Sequence, residues 1–198
     1  SITFGVLNVL NLAHGEFLML GALLSYGLFA ALGINPFVAA VVVIPVFMVL
    51  GVGFYVILLK KISDKPPHQL LTASILVTLG ASLFIEDVTS YFWDRPVTGI
   101  SYSLPPLELA GVVISSTRLL ILLFIFILAF AMQIYLRRAY VGKSIRAITQ
   151  SREGAKVVGI PISRISAVAF SIGMALAASA GAFYVTLFTV TPTMGIPL

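Results

Sequence analysis

Three polar residues recur at intervals of three near the start of the chain, Asn8, Asn11 and His14, and Glu16 follows closely. On a helix that spacing predicts one slowly drifting polar stripe, and Gly5 and Gly15 beside it let the backbone depart from helix. Neutral amide and imidazole groups can replace the water around a small polar solute without trapping it, as a fixed intramembrane charge would. Glu16 is placed to orient His14 or to cap the helix that follows. A second series, Ser74, Thr78, Ser82 and Glu86, steps by four and predicts a polar ridge on one helix face. Such hydroxyls either bond across to neighbouring helices or line a solute path, with Ser74 and Thr78 as the path candidates. Glu86 and Asp87 stand near the outer end of their helix, where water can solvate them.

The third group is cationic. Residues 137–164 carry Arg137, Arg138, Lys143, Arg146, Arg152, Lys156 and Arg164, seven of the twelve Lys and Arg, against one acid, Glu153. Gly142 precedes a helix-favouring run, Lys143–Gln150. Ser151 can cap a second short helix reaching Val158, and Gly159 supplies a left-handed stop with Pro161 beyond. Two short helices on a polar loop predict a docking surface rather than a tether.

Other chemistry is excluded by residue type. There is no cysteine, hence no disulfide framework, thiolate metal site or Cys nucleophile. No Walker A, HExxH, GxSxG or EF-hand pattern occurs, so no catalytic residue and no metal ligand is assigned. Transport, channel and scaffold roles remain, and polar stripes inside apolar runs disfavour a scaffold.

The elements that must position these groups are membrane spans. The chain is 60% hydrophobic and 10% charged, with a mean hydropathy of +1.11. A soluble domain carries about 25% charged residues. Apolar runs at 17–34, 37–59, 70–93, 119–136 and 165–189 are long enough to cross a bilayer. They follow a broken membrane segment over 2–16. The fold class is therefore all-α, a polytopic integral membrane protein with one domain over 1–198. Short strands are expected around Ile100–Leu104 and Leu109–Ile114. Gly173, Ala177 and Gly181, beside Ser171, Ala175 and Ser179, predict close helix packing in the last span.

The loops at 60–68 and 137–164 hold ten of the twelve cations, and the outer loop at 94–117 holds Arg95, with Arg118 at its edge. The positive-inside bias puts the first two in the cytoplasm. Because the cations lie in loops rather than on one face, no nucleic acid is implied. No charged leader precedes the first apolar run, and both ends are expected to belong to a longer protein.

The stretch GVLNVLNLAHGEFLMLGAL (5–23) closely resembles a signature of permease subunits of branched-chain amino-acid ABC importers. The loop and span at 142–183 resemble the same family, and TLGASLFIED (78–87) does so more weakly. The resemblance implies a multi-pass subunit of a bacterial or archaeal cytoplasmic (inner) membrane, here without the family's first helix and its last few. It implies pairing with a second related permease, two ATPase subunits that bind ATP and magnesium, and a periplasmic or lipid-anchored solute-binding protein. No cofactor is expected in this chain, and it is not itself an enzyme.

The family's coupling loop maps onto Gly142–Gly159. There Arg146 and Arg152 would meet acids or carbonyls of the ATPase, Ile145, Ile148 and Val158 would fill its groove, and Ala155 would be small on the contact face. The implied mechanism is alternating access, with ATP-driven closure dragging these levers. Urea and short-amide permeases share the motifs. A reading of another class is an ATP-independent channel or secondary transporter with the Asn8, Asn11 and His14 stripe as its pore.

Overall fold

The computed structural model describes residues 11–63, 66–93, 99–100, 104–109 and 112–195. Among the described residues five long helices carry the architecture. α1 spans His14–Leu32, α2 spans Pro36–Phe54 and runs on through a wider turn, Tyr55–Leu59, and α3 spans Pro67–Phe92. A two-stranded antiparallel ribbon follows, β1 (Leu107–Leu109) with β2 (Val112–Ile114), Leu107 opposite Ile114. Then come α4 (Ser116–Arg138), two short helices α5 (Tyr140–Gln150) and α6 (Arg152–Val157), and finally α7 (Ile162–Leu187). All five long helices are apolar and long enough to span a membrane, so the chain is a polytopic, essentially all-α membrane protein.

Local chemistry sets the boundaries. Gly33 adopts φ 64° and closes α1 in the left-handed conformation that glycine adopts without strain. Asn35 then accepts the N–H of Phe37 at 2.9 Å, with Pro36 at the first helical position, so α2 starts without an idle turn. At the far end of α2 the N–H of Lys60 bonds the Tyr55 carbonyl at 2.8 Å, which widens the last turn.

The core is built on α7, the most buried of the five spans. Glycines let backbones meet there: a side chain at Gly181 would overlap the Leu18 carbonyl, and one at Gly21 would overlap Ala178. On the other side a Cβ at Gly51 of α2 would stand 2.7 Å from the Ser171 Cα. The expected small-residue seam is therefore real at Gly181, and α1 and α2 are its partners. Aromatic rings fill the wider gaps. Phe54 stacks on Phe170 at 5.6 Å, and Phe124 of α4 meets Phe183 at 4.9 Å. In contrast, α3 and α4 turn most of their apolar surface outward, among them Leu76, Phe84, Phe126 and Phe130. Outward apolar faces suit lipid or further helices as surroundings.

Three expectations change. The first span begins at His14, not Phe17, because residues 11–13 form a turn and Ala13 already serves as the helix N-cap. Whether residues 2–10 are broken lies outside the described residues. Gly142 does not precede α5 but sits within its first turn, where any side chain would strike the Leu136 backbone. The second expected strand survives as Val112–Ile114, whereas its partner is Leu107–Leu109. Ile100 and Leu104, the described ends of the other expected strand, are not extended in a sheet.

Candidate functional site

The polar ridge of α3 and the turn before α1 meet inside the bundle. Ser74, Thr78 and Ser82 are all buried. Thr78 accepts the Leu12 N–H at 3.2 Å while its own hydroxyl donates to the Ser74 carbonyl at 2.7 Å. Ser74 donates to the Leu71 carbonyl at 2.8 Å. These back-bonds satisfy both hydroxyls within their own helix, and the Thr78 oxygen is left to accept from the turn.

One step along the ridge, Ser82 donates to Oε1 of Glu16 at 2.9 Å. Glu16 is 0% exposed, and its Oε2 has no hydrogen-bond partner among the described residues. The carboxyl is covered by Gly195, whose Cα lies so close that a side chain there would overlap it. Gly15 packs in turn on the Gly195 carbonyl. A carboxyl group in a membrane span is costly and marks a functional position by default. Here it is held from one side by Ser82 and roofed by a residue beyond the end of α7. Glu16 neither orients His14 nor caps α1, since its bond goes to another helix.

Asn11 directly precedes Leu12, the residue whose N–H bonds Thr78. Its Oδ1 accepts the Ala13 N–H at 3.2 Å, a local Asx turn, and its Nδ2 points at the Met174 sulfur of α7, 3.7 Å away. His14 is exposed and separate from this group. Asn11 stands in the turn before α1 and His14 is the first residue of the helix, so no continuous helix carries both. Asn8 lies outside the described residues. Sequence reasoning missed Met174, Gly195 and the role of Ser82. Only the four-residue spacing of the ridge carried a signal for Ser82.

The loop at 137–164 is ordered as two helices fastened to the bundle. Arg146 donates to the carbonyls of Leu136 and Arg137 at 2.8 and 3.4 Å, which ties α5 to the C-terminus of α4. That places a cation where the helix dipole is negative. Arg152 reaches the Ser63 carbonyl at 3.0 Å and so links α6 to the turn after α2. Ser151 caps α6 through the Gly154 N–H at 3.0 Å, and Gly159 stops it at φ 78°.

Several loop residues face inward instead. Ile145, Ile148 and Ala155 are buried in the protein's own core, so they cannot fill a partner's groove or form its contact face. The reason is amphipathicity: Ile145 and Ile148 lie three apart on the face of α5 that packs on the bundle. Outward apolar surface is provided by Val157 and Val158, 87% and 73% exposed. The two arginines use their guanidinium groups on this chain's carbonyls.

The family matching residues 1–198 is described as "Branched-chain amino acid transport system / permease component". The high-affinity branched-chain amino acid transport system permease protein BraD of Pseudomonas aeruginosa is 25% identical over 200 residues, covering 91% of this chain and 62% of its own length. Permease protein LivH of the corresponding system in Escherichia coli strain K12 is 26% identical over the same shares, and LivH of Salmonella typhimurium 25%. The chain thus spans about three fifths of the curated relatives it matches, 62% of each. No solved structure matches it.

Proposed function

The chain belongs to the family of permease components of branched-chain amino acid transport systems, and from that premise we propose that it is a transmembrane subunit of an ATP-driven importer of such amino acids. The observation that carries the reading is the two-helix loop between α4 and α7. α5 and α6 are clamped to the ends of α4 and α2 by Arg146 and Arg152. A loop fastened to two spans transmits a push to both as a rigid lever, the element a domain motion needs. Val157 and Val158 at its tip offer an apolar contact for an ATPase subunit, which would bind ATP and magnesium. In this arrangement 60–63 and 137–164 face the cytoplasm, a second related permease covers the apolar faces of α3 and α4, and a solute-binding protein delivers from outside.

The polar cluster of Asn11, Glu16, Thr78 and Ser82 borders the path. An amino acid crossing the membrane carries an ammonium group, and a buried carboxyl with an unpartnered oxygen can ionise against it when the two meet, which is not a fixed charge. Urea or a short amide has no cation to place there, so the carboxyl favours the zwitterion. Exposing that oxygen requires Gly195 to move aside, which alternating access would accomplish. The test is uptake of labelled leucine and urea by the complete transporter in proteoliposomes, with binding protein outside and ATP inside. Leucine uptake that needs both is the expected result. Uptake without nucleotide would establish a channel or secondary transporter instead, and uptake of urea alone would establish an amide permease.

A further inference from the structure

Where α2, α6 and α7 converge, a cavity of about 440 Å³ opens at the end of the bundle. Four cations line it, Lys60, Arg152, Lys156 and Arg164, with Ile160 and Ile162 supplying apolar wall. Among the described residues no acidic side chain lines it. The chain neighbours Asp64 and Lys65 lie outside the described residues. Arg152 is held across the cavity by its bond to the Ser63 carbonyl, so one cation is already oriented. Four like charges around one concavity repel each other, and an anion between them removes that cost.

The depth of the cavity selects the anion. Lys60 directly follows Leu59, the last residue of the second span, and Arg164 lies in the first turn of α7. Both sit where membrane helices emerge, at headgroup level. We propose that this cavity binds the phosphate of an anionic phospholipid from the cytoplasmic leaflet, as a site that latches α6 to the ends of α2 and α7. The chemistry is that of a phosphate ester. A lipid is favoured over free phosphate because Ile160 and Ile162 border the cavity and the bilayer presents such esters at that depth. The proposal rests on the cytoplasmic placement of 137–164, which cysteine labelling tests separately.

The experiment measures phosphatidylglycerol retained by the complete transporter in native mass spectrometry, after purification in detergent supplemented with that lipid or with phosphatidylcholine. Each cation near an anionic surface is worth about a fivefold change in binding. The double variant Lys156→Gln, Arg164→Gln should therefore retain roughly thirtyfold less phosphatidylglycerol. Both side chains are exposed, so folding is spared. Lys143→Gln, an exposed cation of the same loop outside the cavity, should change retention little. An equal loss in Lys143→Gln would overturn the site in favour of general attraction to the membrane. Displacement of the lipid by millimolar inorganic phosphate would overturn the lipid assignment. Unchanged retention in the double variant, with weakened ATPase association, would assign the cavity to the ATPase.

Discussion

Ser82 of α3 and Glu16 of α1 share a 2.9 Å hydrogen bond across sixty-six residues of sequence. It is a long-range polar bond in the span region that involves an ionisable side chain, and it leaves half of the carboxyl unpartnered among the described residues. If it were purely structural, removing Ser82 and altering Glu16 should have similar small effects, near 0.6 kcal/mol each. If Glu16 meets the substrate ammonium, they diverge. Ser82→Ala should keep most uptake. Glu16→Gln, which keeps the hydrogen bond but loses the charge, should cut uptake about tenfold to a hundredfold, the worth of one charged hydrogen bond. Assembly and ATPase stimulation by loaded binding protein should survive. Equal effects of the two substitutions on uptake would return the pair to a packing role.

The seam on α7 predicts a contrast among glycines. Gly181→Val would drive a side chain into the Leu18 carbonyl, and Gly21→Val into Ala178. Overpacking of this kind costs about 1–3 kcal/mol, and more where backbone must move. Gly27 and Gly80 have nothing within 4 Å of a built Cβ. Alanine there should be neutral or stabilising by up to about 1 kcal/mol. Thermal melting of the detergent-purified protein followed by size-exclusion chromatography separates these. A Gly181→Val protein melting with the wild type would contradict the seam.

The membrane spans were legible because a run of some twenty apolar residues needs no partner to be recognised. The cap at Ser151 and the left-handed stop at Gly159 were legible for a similar reason, since their bonds are local. Facing was not. Sequence puts Ile145, Ile148 and Ala155 on a loop, and only the fold shows that their side is covered by the bundle. The spacing of Asn11 and His14 predicts a stripe only on a continuous helix, and Asn11 lies in the turn before α1. Gly195 over Glu16 had no sequence signal at all, because nothing local records which distant backbone will cover a carboxyl.

The outward tip of the lever separates docking from folding. Val157 and Val158 are exposed, so Val157→Asp with Val158→Asp should leave expression and melting intact while reducing copurification of the ATPase subunits. Ile148 is buried, and Ile148→Asp places a charge in the core, at a cost of several kcal/mol. That variant should lose folded yield. Normal ATPase copurification with the double aspartate variant would remove the tip as the docking point.

Orientation is tested by cysteines placed in a chain that has none. Gln150 and Ser115 are exposed, and neither side chain caps a helix. In intact cells an impermeant maleimide should label Ser115→Cys. It should reach Gln150→Cys only after permeabilisation. The reverse pattern would invert the topology and with it the placement of the ATPases.

The sharpest test of coupling is Gly159. It sits at φ 78° just after α6, with open space where a Cβ would stand. A substitution there therefore meets no steric neighbour, and any effect must come from the backbone. A left-handed conformation costs an L-residue roughly 1–2 kcal/mol, most for a β-branched one, while asparagine tolerates it best. Gly159→Val should shift the path of the chain between α6 and Pro161 and so detach lever motion from α7. Gly159→Asn should behave close to wild type. The expected result is that both variants insert and copurify with ATPase subunits, but that Gly159→Val shows basal hydrolysis without stimulation by loaded binding protein and little uptake. Melting temperatures should differ by no more than the backbone cost. If valine and asparagine variants transport equally well, the left-handed turn is dispensable and α6 does not transmit the stroke through it.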